Sequence, residues 1–177
     1  MIGMTLSQKQ SIELYFDQFE GAQPLSPTQF IGDNVRLAFD ENSKMSVEIA
    51  HETYVDLLGH SYDALVMRGS NRAEHDWLAL EVDVDPQFEK IAITMRYAPA
   101  EFVYPRFYVS AGKKRFEVEF VGMILAFGWV KYEITGAQFD ALCGSSRKDM
   151  SQLRLAMQFA SRPWFALGIS RIEQEVK

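Results

Sequence analysis

Trp77-Leu78-Ala79-Leu80-Glu81-Val82-Asp83-Val84 is the stretch whose reading decides the fold. Leu78, Leu80, Val82 and Val84 alternate with Trp77, Ala79, Glu81 and Asp83. Successive strand side chains point to opposite faces, so this run buries one face and turns the other to water. The rhythm returns in Ile91, Ile93 and Met95, and again in Leu153, Leu155, Met157 and Phe159. Several half-buried runs separated by turn residues predict an antiparallel all-β sandwich. About ten or eleven strands are expected, in one domain covering residues 1–177. Parity assigns Leu80, Val82, Ile91, Ile93, Phe107, Val109, Leu155, Met157 and Ile169 to the core.

Working outward, a first strand is expected at Ile12 to Phe16, with a turn over Asp17 to Gly21 and a loop from Pro24 to Pro27. Val35, Leu37 and Phe39, then Met45, Val47 and Ile49, read as a hairpin with a loop of about four residues. His51 to Ser61 carries no clear period; a short helix there would make the fold α+β. Pro105 to Ala111 and Phe116 to Phe120 read as a hairpin through Gly112-Lys113-Lys114. Val121 to Trp129 is densely apolar but too short to span a membrane, and Gly136 to Asp149 reads as a long loop. The last strands are Gln152 to Phe159 and Trp164 to Glu175.

Composition narrows the function. Eighteen basic against 24 acidic residues give a formal charge of −6, which argues against a nucleic-acid binder because that needs a basic face. Thirteen Phe, seven Tyr and three Trp are rich fare for strands. The single cysteine, Cys143, excludes an internal disulfide and has no histidine near it in sequence to activate it. The first ten residues lack a basic segment followed by a continuous apolar run, so a cytoplasmic, membrane-free home is expected.

The order of elements resembles the galactose-binding-like β-jelly-roll domain of the carbohydrate-binding-module type. Tyr15-Phe16-Asp17-Gln18-Phe19-Glu20-Gly21 is similar to the aromatic-acidic turn after the first strand of such modules. Gly128-Trp129-Val130-Lys131-Tyr132-Glu133-Ile134 resembles their Trp-containing strand. Leu153 to Met157, followed by Phe165 to Ile172, resembles their final strand pair. The resemblance implies a jelly roll and a carbohydrate ligand. It also implies a structural calcium between the first turn and an acid in the last strand, but Ser170 and Arg171 stand where that acid would be, so no cofactor is expected.

No catalytic or metal motif emerges from the residues. His51, His60 and His75 have no ligand spacing, and Gly168-Ile169-Ser170-Arg171 lacks the second glycine of a nucleophile elbow. The outward faces of the strands are more informative. Trp77 and Tyr108 are candidate stacking platforms, with Arg96, Arg154 and Glu81 as hydrogen-bond partners. A wet face laced with cross-strand ion pairs is the alternative explanation of the same residues. Three functional readings follow: a non-catalytic glycan-binding module, a carbohydrate-active enzyme using Glu81 or Asp83 on that face, and a homodimer or other protein partner packed against it.

Overall fold

The computed structural model describes residues 8–42, 46–55, 57–70, 77–98, 106–111, 113–125, 128–144, 152–160 and 165–176. These form fourteen strands. The first seven are β1 (Gln8–Ser11), β2 (Gln23–Pro24), β3 (Thr28–Gly32), β4 (Val35–Phe39), β5 (Ser46–Val55), β6 (Ser61–Ser70) and β7 (Trp77–Val84). The rest are β8 (Phe88–Ala98), β9 (Arg106–Ala111), β10 (Lys114–Val118), β11 (Val121–Ile124), β12 (Trp129–Thr135), β13 (Leu153–Ala160) and β14 (Phe165–Val176). One helix, α1 (Gly136–Cys143), and a 3-10 turn at Phe16–Phe19 complete the described elements.

Two antiparallel sheets face each other. One runs β11-β12-β8-β14-β6-β5-β2, with β1 added beside β14, and the other runs β10-β9-β13-β7-β4-β3. The chain passes from one sheet to the other between β2 and β3, β4 and β5, β6 and β7, β7 and β8, β8 and β9, β10 and β11, β12 and β13, and β13 and β14. This is the antiparallel β-sandwich that the period-two runs predict, of the jelly-roll kind that the resemblance implies. The core lies between the sheets, and all nine residues expected there are buried. Full burial of a side chain such as Leu80 contributes roughly 1.5–3 kcal/mol, so these inner faces hold the layers together.

Several local expectations are corrected. The strands number more than ten or eleven, because short edge pieces such as Gln23–Pro24 pair without any legible alternation. The expected hairpin does not form, and Met45 lies outside the described residues: β4 pairs with β3 and β7 in the six-stranded sheet, and β5, which carries Val47 and Ile49, with β2 and β6 in the other. An inward apolar face serves either sheet equally well, so parity alone does not choose the partner. The first strand precedes Ile12, and Phe16–Phe19 turns as a 3-10 helix. Residues 51–55 belong to β5, so no helix lies there.

The helix instead starts where a loop was expected. Thr135 and Gln138 make a capping box: Gln138 N donates to Thr135 Oγ1 at 3.2 Å, and Thr135 N to Gln138 Oε1 at 2.9 Å. Gly144, at φ 66°, ends it in the left-handed conformation glycine adopts without strain. Its buried Phe139 meets Phe88 edge-on at 6.1 Å, closing one end of the core. Among the described residues no helix is long and apolar enough to cross a membrane.

Candidate functional site

Parity on β7 turns Trp77, Ala79, Glu81 and Asp83 away from the core. Pairing then extends three rows across the six-stranded sheet. Arg36, Glu81, Ala156, Tyr108 and Glu117 form one row, and Asp83, Arg154, Ser110 and Arg115 the next. Ala38, Ala79, Gln158 and Arg106 form the third. Long side chains alternate with alanine and serine, so the middle of the face is low and its flanks are high.

The flanks are tied together by charge. Arg154 Nε donates to Asp83 Oδ1 at 2.8 Å, and its Nη1 lies 3.7 Å from Glu81 Oε2. Arg36 Nε donates to the same Glu81 oxygen from the other side. The Asp83 hydrogen bond raises the Arg154 pKa; partial burial opposes it, and the charges of Asp83 and Glu81 add to it. Both guanidinium groups are thereby held in place, and Arg154 also lines a groove on this face. That groove is a depression of about 650 Å³, with Arg154, Arg115, Glu81 and Asp83 among its lining residues. Trp77, 39% exposed, stands in its wall, Ala79 and Ala156 line it, and Ser110, Gln152 and Gln158 supply uncharged polar groups.

Four of the five residues singled out from the sequence, Trp77, Glu81, Tyr108 and Arg154, share this face. Arg96 does not. It lies on β8 in the other sheet, paired with Trp129 and Gly168, because the Asp85-Pro86-Gln87 turn carries the chain across the sandwich. Tyr108 does not line the depression: the Arg115 guanidinium sits 3.7 Å over its ring and takes the face a ligand would stack on. Arg36, Ser110, Arg115 and Gln152 were missed. For Ser110 and Arg115 a signal existed, since the β9–β10 hairpin sets them opposite each other.

The place the family resemblance reserves for calcium has another occupant. Glu20 Oε1 lies 3.3 Å from His51 Nδ1, and Asp63 Oδ1 lies 2.8 Å from His51 Nε2. An imidazole between two carboxylates, with Ser170 and Arg171 on the last strand, does not fit a hard cation that needs six or more oxygens. Among the described residues no group of three or more His, Cys, Asp or Glu could hold a metal ion. His75 and the side chain of Cys143 lie outside the described residues.

No known protein family and no curated protein matches the chain. Solved structures similar to it include carbohydrate-binding modules. TmCBM61 in complex with beta-1,4-galactotriose is 13% identical, with a TM-score of 0.47 over 82% of this chain and 90% of that one. The family 11 module from Clostridium thermocellum, in complex with a beta-1,3-1,4-mixed-linked tetrasaccharide, is 11% identical, with a TM-score of 0.47 over 87% and 95%. The enzymatically active domain of bacteriophage CBA120 tailspike protein 4 is 8% identical, with a TM-score of 0.46 over 81% of this chain and 20% of that one.

Proposed function

We propose that the chain is a non-catalytic saccharide-binding module and that the groove on the six-stranded sheet receives the sugar. The observation that carries this is the groove itself: about 650 Å³, with an exposed indole in its wall and fixed guanidinium, carboxylate, amide and hydroxyl groups around a low alanine floor. Indole faces stack on the C–H patches of pyranose rings, and planar polar groups hydrogen-bond to hydroxyls in pairs. The volume suits a short oligosaccharide on the ordinary scale of ligand sites. Glu81 and Asp83 orient donors here rather than acting as an acid–base pair, since both accept from guanidinium groups. A glycan array probed with the full chain tests the reading. Binding to neutral oligosaccharides without turnover is expected, and an array without hits at high protein concentration would overturn it.

A further inference from the structure

We propose that a seam in the eight-stranded sheet is a second saccharide site, one that takes sugars carrying no acidic group. It depends on the chain being a sugar binder, as proposed above, but shares no residue with the groove.

The seam follows from how β14 is paired. β8 accompanies it along one side, with a bulge between Ile169 and Arg171. On the other side β14 changes neighbour: β6 pairs with it from Phe165 to Ile169, and β1 pairs with it from Glu173 to Val176. Between those ladders Ser170, Arg171 and Ile172 face a gap. Two bonds stitch its margins, Ser170 Oγ to the Asp63 carbonyl at 2.9 Å and Ile12 N to the Ile172 carbonyl at 2.8 Å. What remains is a cleft of about 670 Å³, as large as the groove.

Its walls have the chemistry that sugars need. Tyr15 and Tyr62 supply aromatic surface, and Tyr62 is 43% exposed. Asp17, Asp63, Ser170 and Arg171 supply acceptors and donors. Two of these walls are held before any ligand arrives, which reduces the ordering cost of binding. Tyr15 donates its hydroxyl to Asp33 at 2.5 Å, and Asp63 is oriented by His51 at 2.8 Å and Thr53 at 3.2 Å. Selectivity comes from charge. Glu13, Asp17 and Asp63 line the cleft against Arg171 alone, and Arg171 is already drawn to Glu173 at 3.2 Å. A uronate would meet repulsion there, whereas a neutral or amine-bearing sugar would not.

Amide NMR spectra of the full chain, titrated with a glucose tetramer, a glucosamine tetramer and a galacturonate trimer, test this. The amides of Tyr62, Asp63, Ser170 and Arg171 should move with the first two sugars and stay still with the third. Their saturation curve should differ from that of Trp77 to Asp83. Tyr62→Ala should abolish the seam response and leave the groove response, while Tyr62→Phe, which keeps the ring and guards against a folding defect, should retain both. Silence in the seam while the groove responds overturns the second site alone. A seam that follows the galacturonate overturns its selectivity. Silence at both places removes the saccharide reading and the seam with it.

Discussion

The outer faces of the two sheets are built from the same materials and have opposite shapes. On the eight-stranded sheet Lys9 meets Glu173 at 2.9 Å, Lys131 meets Glu133 at 3.2 Å, and Lys90 reaches Glu133 at 3.4 Å and Glu175 at 3.9 Å. These long chains close over Ala92 and leave a void of about 10 Å³. On the six-stranded sheet Arg36, Glu81, Arg154 and Asp83 are linked just as closely, yet a groove of about 650 Å³ remains beside them. Charge does not distinguish the two faces. What differs is that Ala79, Ala156 and Ser110, on neighbouring strands in adjacent rows, put small side chains along the groove. Small residues in register, rather than polar ones, make the groove.

The strongest way to break that comparison is to fill the floor. Ala156→Trp should lower affinity for a groove-bound oligosaccharide at least about 100-fold, equivalent to about 3 kcal/mol. Because the position lies on an outer face, stability should change little, within about 0.5 kcal/mol. Lys131→Ala on the opposite face should leave affinity untouched. Titration calorimetry on both variants decides the matter; equal losses, or none in either, would remove the floor from the explanation.

Trp77→Ala should weaken binding by about 1–3 kcal/mol, the scale for uncovering a large apolar side chain, while the thermal midpoint stays nearly constant. An unfolded Trp77→Ala would instead make the indole a structural cover for its strand.

Parity made much of this face readable. Once Leu80, Val82, Leu155 and Met157 are assigned inward, Glu81 and Arg154 must point outward, and they do. Strand order was not readable. The short turn after Val84 looks like a hairpin connection in sequence, yet it takes the chain across the core and puts Arg96 in the other sheet. Nothing local encodes that crossing, because an alternating strand satisfies either layer. The helix is a different case. Thr135 and Gln138 carry a capping signal, but eight residues around the buried Phe139 show too little periodicity to stand out.

The ion pairs of the two faces should also differ in stability. Glu81→Gln leaves Arg36 and Arg154 facing each other across a neutral amide, and should cost about 1 kcal/mol in urea denaturation. Lys131→Ala opens one arm of a ladder in which Lys90 still reaches Glu133, and should stay within about 0.5 kcal/mol. In 1 M salt the two costs should converge, because screening removes the repulsion between exposed guanidinium groups. A persistent gap at high salt would mean that Glu81 acts by packing.

The smallest effect sharpens the contrast between the groove and the seam. His51 offers a ring nitrogen to each of two carboxylates, Asp63 and Glu20, while the Phe16 ring lies 5.1 Å away. Only the protonated imidazole donates to both. The Asp63 hydrogen bond raises its pKa above the usual 6.5; burial opposes this and Glu20 adds to it. Asp63 is correspondingly held below its usual 3.8, chiefly by the same hydrogen bond. A raised histidine stabilises the fold fully below 6.5 and ceases to do so as pH rises through its folded pKa. A depressed aspartate does so above 3.8 and ceases as pH falls through its folded pKa. The turn bearing Glu20 should therefore be held best between those limits. The thermal midpoint of the wild type should fall from pH 6 to pH 8.5 by more than that of His51→Gln, whose neutral amide keeps one bond and cannot titrate. Trp77→Ala should show the wild-type slope, since the groove lies on the other sheet. Identical slopes in wild type and His51→Gln would show that the imidazole is neutral in the folded chain and donates to only one of the two carboxylates.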